Sequence, residues 1–343
     1  MTAPAPTALY EHIVLAAMLA PSIHNTQPWQ FSPYDGGLDL WAEPGRQLPV
    51  LDPDGRQLHV SCGAALHLAQ VAARALGLDP VAELLPDAGD RSHLARLALT
   101  VSGAPTSEQQ DLAAAIGRRH TYRGVLDDRR VPPELLDRLR LAAEQQGARL
   151  RLIAGTADLL ELEVALSRAD RVEQADAAYR GELADWVRAG PLSATPERDG
   201  IPAEALPVDA QHGSSLRLRD FQPDAERDPG SSTEPPPAEH PDVVVLVTDD
   251  DTAQSWLRAG QALGAVLLTA AGSGVSAQPL GQATDLPGSR QRLRAALGLL
   301  GTPQLALRLG YAPAGAPTPA TPRRVLHDVL TGPRTTRRPE ETS

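Results

Sequence analysis

The chain has 343 residues, 42% hydrophobic and 22% charged, enough apolar sequence for a sizeable core. Its formal net charge of −11 argues against a nucleic-acid-binding protein, which wants a basic face. A single cysteine, Cys62, excludes an internal disulfide, and the nine histidines show no HxxxH or HExxH spacing, so no metal site is expected.

In chain order, a helix is expected over Ala8–Ala20, a weak strand over Trp29–Ser32 and a strand over Leu38–Ala42. A helix over Leu58–Leu76 and a strand over Ala95–Val101 follow. Pro132 and Pro133 suit the first turn of a helix over Pro132–Gln146. Strands are then expected over Arg149–Ile153, Val243–Thr248 and Leu305–Leu309, with helices over Thr252–Ala271 and Arg290–Leu299. Elements intermingle without a βαβ rhythm, which favours an α+β fold over a doubly wound sheet. Between them, Gly190–Pro241 is dense in Pro, Gly, Ser and acidic residues; composition leaves a lid and a disordered linker equally open. Arg334, Arg337 and Arg338 sit in a Pro- and Thr-rich end, 331–343, read as a disordered tail. Apolar runs such as Ala262–Ala271 fall short of the roughly 20 residues of a membrane span. Met1–Thr7 carries no basic segment leading into an apolar one, so a cytoplasmic protein is expected.

Two pairs of segments resemble each other. Leu15-Ala16-Ala17 matches Leu141-Ala142-Ala143, and Cys62–Leu78 matches Ala259–Val275 through Gly63/Gly260, Ala65/Ala262, Leu66/Leu263, Ala73/Ala270 and Gly77/Gly274. The offsets, 126 residues for the first pair and 197 for the second, place an excess of 71 residues in the second half.

Two stretches carry chemistry. In Ala20–Phe31, APSIHNTQPWQF, Pro21 ends a helix and hydrogen-bonding residues precede Trp29 and Phe31. In Arg119–Arg123, two arginines flank Thr121 at a spacing that puts both on one face of an extended segment. Guanidinium forks beside a hydroxyl suit a phosphate.

The first stretch resembles the helix-end loop of the nitroreductase superfamily, which touches the flavin of FMN; Pro21, Ser22, Asn25 and Gln27 are the implied contacts, with Ile23 where the family often has a second serine. Arg119, Thr121 and Arg123, followed by Val131–Leu136, resemble the family's phosphate- and pyrimidine-gripping motif. Leu307–Pro313 with Arg323 resembles its terminal segment, whose arginine also reaches the phosphate; Val325 replaces the usual proline. Gly272–Gln282 resembles the loop that passes the flavin near N5, implying backbone contacts from Pro279, Leu280 and Gly281, the last often Glu in the family. A helix precedes this glycine-rich run where a dinucleotide fingerprint needs a strand. The segment 54–66, Gly181–Trp186, Asp199–Pro202 and Trp256–Gln261 resemble the Acg-like branch, whose members carry a lid over the flavin. The Asn/Lys pair that usually meets the pyrimidine has no counterpart in Ser231–Asp242.

The resemblance covers residues 8–330. It implies an α+β, nitroreductase-like fold of two degenerate tandem halves, an intrachain pseudo-dimer. Residues 1–115 would supply the Ser22 loop, and residues 116–330 the phosphate grip with a lid-like insertion at 190–241. One FMN, a small organic substrate, and NAD(P)H as a candidate donor are implied. Neither a nucleic acid nor a membrane partner is, and the chain would be a monomer or would dimerise through another surface. The implied function is hydride or electron transfer through FMN N5; a flavin-sequestering protein sealed by its lid is the alternative. No side chain stands out as a general acid or base, and His24 and His120 read as structural.

Overall fold

The computed structural model describes residues 6–188, 198–206, 216, 218–221, 239, 241–316 and 321–334. Helix α1 (Pro6–Ala17) leads into a hairpin of β1 (Trp29–Tyr34) and β2 (Gly37–Ala42), then α2 (Arg56–Ala75), β3 (Leu78–Leu84) and β4 (His93–Val101). The four strands form an antiparallel sheet in the order β1-β2-β4-β3. Helix α3 (Ser107–Arg118) starts with a capping box, Thr106 and Gln109 satisfying each other's backbone N–H groups. Helix α4 (Pro133–Glu144) takes Pro133 in its first turn, where no N–H is missed.

A second series follows. After β5 (Arg149–Ile153) come α5 (Thr156–Ala175), α6 (Ala177–Trp186) and two short strands, β6 (Val187–Arg188) and β7 (Ile201–Pro202), paired in parallel. Then come β8 (Asp242–Thr248), α7 (Ala253–Gly272), β9 (Ser276–Leu280), α8 (Gln282–Asp285), α9 (Pro287–Ala296) and β10 (Thr302–Gly310). The second sheet, also antiparallel, runs β5-β8-β10-β9. Counted within its own half, each sheet therefore has the strand order first, second, fourth, third, with a long helix between the second and third strands.

Each sheet buries a face against its helices. Trp29, Phe31, Leu38 and Leu40 pack with Ile13, Val14 and Leu66, while Val244, Leu246, Leu307 and Leu309 pack with Leu139, Leu263 and Val266. The other face of the second sheet is covered too, Val243, Val245 and Val247 meeting Leu162, Leu166 and Leu293. Burial on both faces explains why β8 reads as a continuous valine run rather than an alternation.

Helices α2 and α7 cross between the sheets at two glycines. A Cβ on Gly63 would lie 2.2 Å from the Leu257 carbonyl oxygen, and one on Gly260 would lie 2.1 Å from that of Val60. The contact is reciprocal, and each partner is displaced by 197 residues, the offset between the two similar helices. Reciprocity of this kind is what a two-fold contact produces.

Several sequence expectations need correction. Leu78–Leu84 and Ser276–Leu280 are strands, not connections; both lie at sheet edges, where Pro80 and Pro279 cost no ladder bond. Helix α5 went unseen because Leu159, Leu160, Leu162, Val164 and Leu166 leave no clean apolar stripe. The extra chain of the second half thus starts at Thr156, soon after β5, rather than at Gly190, and most of 190–241 lies outside the described residues. Of the expected tail, residues 331–334 pack on the first sheet: Thr331 N–H donates to Phe31 O at 2.8 Å, and the Arg334 guanidinium lies 5.0 Å from the Trp41 ring centre. Helix α10 (Leu326–Val329) precedes them, and 335–343 lie outside the described residues.

Candidate functional site

A cleft partly open to solvent is lined by residues from both the first and the second series of elements. The first half contributes Pro21, Ser22 and His24 from the loop after α1, and Gln57 and Ser61 from α2. The second half contributes Thr121, Arg123, Gln278, Pro279 and Gly281. Ile201, Arg219 and Phe221 reach it from the extra segment.

The loop after α1 has an unusual backbone. His24, Asn25 and Gln27 have φ values of 44°, 57° and 49°, a left-handed region costly for side-chain-bearing residues. The loop is held from several sides. Ser22 Oγ accepts from Gln27 N–H at 3.0 Å, and Ser61 Oγ from Ile23 N–H at 3.1 Å. Asn25 Nδ2 donates to Gly200 O and Pro322 O, and Gln27 Nε2 donates to Arg198 O while its Oε1 accepts from Arg324 N–H. Of the expected flavin contacts, Pro21 and Ser22 therefore line the cleft, whereas the amides of Asn25 and Gln27 are engaged in bracing the loop.

Thr121 bridges to Ala277 at the edge of the second sheet, which carries Arg123 into the cleft. Burial lowers the Arg123 pKa to about 10; its guanidinium carbon lies 5.5 Å from the centre of the Phe221 ring, and its charge helps to keep His24 neutral. Arg119 and Arg323 do not line the cleft but stand at the end of α1 beside Pro21. Arg119 Nη2 donates to Leu19 O at 3.1 Å, and Arg323 Nη2 donates to Leu19 O at 3.5 Å and Ala20 O at 3.4 Å. Burial lowers Arg119 to about 10; burial and the charge of Arg119 lower Arg323 to about 9. Neither has a carboxylate partner among the described residues, and the Nε of each is buried without a hydrogen bond. Arg323 Nη1 also donates to Asn25 Oδ1 at 3.1 Å and Thr321 Oγ1 at 2.6 Å, so both guanidiniums are held by neutral acceptors, an arrangement that leaves their charge available to an anion.

Pro279 and Gly281 line the cleft, but the Leu280 side chain is buried in the core behind the sheet. A Cβ on Gly281 would lie 2.9 Å from Asp285 Oδ2, so the Asp285 carboxylate fills the space that a glutamate at 281 would need.

A buried charge network supports the cleft floor. Asp285 Oδ1 accepts from Arg56 Nη2 at 3.2 Å, and Oδ2 from Arg219 Nη2 at 2.5 Å. Burial works against the Asp285 carboxylate, but Arg219 and Arg56 hold it below the usual range, ionised. Arg219 also meets Glu173, whose pKa burial raises, and donates through Nη1 to His24 Nε2 at 3.0 Å. His24 is neutral, lowered to about 3 by burial and by Arg219. Since Nε2 accepts, the ring proton sits on Nδ1. His24 thus belongs to the cleft rather than to the scaffold alone; His120 is exposed, its Nδ1 donating to Arg118 O at 2.9 Å.

Arg219, Gln57, Gln278 and Ser61 were missed from the sequence. Gln57 and Ser61 lie inside the 54–66 segment whose resemblance was noted, but nothing distinguishes Arg219 among the turn-forming residues around it. Of the apolar residues of that stretch, Ile201, Leu216 and Leu218 are buried, and Phe221 packs against His24 with ring centres 5.8 Å apart. The described residues include no cluster of His, Cys, Asp or Glu able to hold a metal, and no helix long and apolar enough to cross a membrane.

No family model matches the chain. It is 34% identical over 325 residues to Rv3131 of Mycobacterium tuberculosis strain H37Rv, provisionally named an NAD(P)H nitroreductase, covering 94% of this chain and 90% of that one. It is 32% identical over 331 residues to Acg of the same organism, similarly named, covering 94% and 96%. This chain belongs to that Acg-like family of nitroreductase relatives. Solved structures similar to it include a nitroreductase with bound FMN from Bacteroides fragilis, 12% identical at a TM-score of 0.34 and covering 61% of this chain and 92% of that one. Another, from Desulfitobacterium hafniense, also with bound FMN, is 13% identical at a TM-score of 0.37 and covers 61% and 93%.

Proposed function

We propose that the chain is an FMN-dependent oxidoreductase with a single cofactor site assembled from two fused, degenerate halves, residues 1–115 and 116–330. The observation that carries this reading is the pair Arg119 and Arg323, cations without carboxylate partners among the described residues, gathered at the end of α1 next to Pro21 of the cleft. The shared strand order and the reciprocal Gly63–Gly260 crossing support an internal pseudo-dimer. Each half keeps what the other lacks: the Ser22 loop occurs only in the first, the arginine motif only in the second. That arithmetic gives one site and removes the need for an intermolecular copy of the same interface.

Arg119, Arg323 and Thr121 would hold the phosphate, while Pro21, Ser22, Arg123, Pro279 and Gly281 would border the ring. Bound FMN supplies the chemistry that no side chain here offers, hydride or electron transfer at N5 to or from a small organic substrate. Arg123 places a fixed cation in the cleft, where little water screens it, and so favours negative charge on whatever lies beside it. His24 is already hydrogen-bonded and stays neutral to low pH, so it serves as a positioning residue rather than a base. The names of the relatives make NADPH and NADH the first donors to try.

A second reading rests on Phe221 and Arg219, which enter the cleft from the extra segment: the segment covers the flavin, and in the extreme case the protein sequesters it without turnover. Anaerobic reduction of the protein-bound flavin by NADPH and NADH separates the two. Rapid bleaching supports the oxidoreductase; an inert, fully occupied flavin supports sequestration.

A further inference from the structure

Many of the polar groups on the cleft wall are already committed. Ser61 Oγ donates to Gln57 O at 2.7 Å and accepts from Ile23 N–H; Ser22 Oγ accepts from Gln27 N–H; Arg219 is held by Asp285, Glu173 and His24. Two glutamines differ, because each has one end of its amide fixed by a partner of a single sign. Gln57 Nε2 donates to Asp285 Oδ1, an ionised carboxylate that can only accept. Its Oε1 makes no hydrogen bond among the described residues. Gln278 is fixed the opposite way: its Oε1 accepts from Arg308 Nε at 2.7 Å, a guanidinium that can only donate. Arg308 in turn is 1% exposed and anchored by Glu239 Oε1 at 2.6 Å and Gly124 O at 2.7 Å. The Gln278 Nε2 amide is likewise without a partner among the described residues.

An amide can normally rotate to suit its ligand. Here rotation would set Gln57 Oε1 against a carboxylate and Gln278 Nε2 against a guanidinium, leaving buried charges facing like partners. The cleft therefore presents one permanent acceptor, Gln57 Oε1, and one permanent donor, Gln278 Nε2, from opposite halves of the chain. We propose that Gln57 and Gln278 read the pyrimidine edge of the flavin, Gln57 accepting from the N3–H and Gln278 donating to a ring carbonyl. An edge of alternating carbonyl, N–H and carbonyl is the complement of that pair. This assignment rests on the FMN reading, and it supplies the recognition for which Ser231–Asp242 offers no Asn/Lys pair.

The test measures dissociation constants of FMN and of N3-methyl-FMN for the flavin-stripped full-length protein, by quenching of flavin fluorescence. N3-methylation should weaken binding to the wild type about tenfold, the worth of one hydrogen bond. It should change binding less than about twofold in Gln57→Met, where no acceptor remains. At the other end, Gln278→Glu keeps an acceptor for Arg308 but turns the donor into an acceptor, so it should weaken FMN more than Gln278→Met does. Circular dichroism of the stripped variants checks that each folds, and the ligand comparison within a single variant is independent of any loss shared by both flavins. FMN binding with equal affinity for the N3-methyl analogue in the wild type, or the same methyl penalty in Gln57→Met, overturns the assignment while leaving the cofactor reading intact. Failure of the wild type to bind FMN at all overturns both.

Discussion

Arg119 and Arg323 donate to the same carbonyl oxygen, that of Leu19, at 3.1 and 3.5 Å, although burial disfavours both cations and the charge of Arg119 further disfavours Arg323. On the proposed reading, this pair of like charges is balanced by the FMN phosphate. Arg119→Met removes one charge and a single hydrogen bond. It should weaken FMN binding by about 1.5–3 kcal/mol, the range for charge-assisted bonds. The melting temperature of the flavin-free protein should hold or rise, because repulsion is relieved. Flavin titration and differential scanning calorimetry on the same preparations check this, and unchanged affinity would show that the phosphate lies elsewhere.

Gly63→Ala or Gly260→Ala should be strongly destabilising. A methyl group at either position would meet backbone oxygen at 2.2 or 2.1 Å, and neither helix can retreat without separating the two halves. Overpacking typically costs about 1–3 kcal/mol, and backbone clashes sit at the upper end of that range. Urea denaturation should register the loss in each variant separately; a change below about 0.5 kcal/mol would mean that the crossing is not tight.

Phe221 and Arg219 come from one short stretch yet should behave oppositely. Phe221→Ala leaves the charge network intact and clears the space between His24 and Arg123, so small quinones should reoxidise the reduced flavin faster in stopped flow. Arg219→Met strands Glu173 and weakens the hold on Asp285, at a cost of about 3–5 kcal/mol for breaking a buried pair. Equal reoxidation rates in wild type and Phe221→Ala would remove the basis for a cover over the cleft.

Stability should respond to pH through His67, which lies on α2 against Gly264 and is 4% exposed. Burial first, and then Arg74, lower its pKa from 6.5 to about 4. The unfolded chain thus takes up a proton at a higher pH than the fold does. This group's contribution is complete above pH 6.5 and is lost as pH falls toward 4, by up to about 3 kcal/mol. Asp52, raised to about 6 by burial, acts in the opposite sense, so the test is a difference: between pH 6.5 and 4, wild type should lose stability relative to His67→Leu. Parallel stability curves would contradict it.

What could be read from the sequence follows from how local its cause is. The α7 helix and the β8 run are written in periodicity and burial, and the 197-residue offset was visible because a glycine crossing tolerates few substitutes. The Acg-like segments were visible too, but their roles were not: Glu182 accepts from Val50 and Leu51 N–H at 2.8 Å, and Asp199 pairs with Arg46 at 2.9 Å, so they stitch the extra segment to the first half. Long-range partners of this kind leave no local pattern. The same holds for Gln57 and Gln278, whose meaning depends on Asp285 and Arg308, residues 228 and 30 positions away. Asn25 and Gln27 illustrate the converse, polar residues in a recognisable loop whose amides bind backbone instead of facing the cleft.

The central claim, one composite site in each chain, is tested most directly by flavin stoichiometry. The purified protein is saturated with FMN, freed of excess and denatured, and the released flavin is identified by chromatography and quantified against chain concentration. The account gives about one FMN per chain, because only one complete set of a Ser22 loop and an arginine motif exists in the two halves. Two FMN per chain, FAD in place of FMN, or no retained flavin would contradict it.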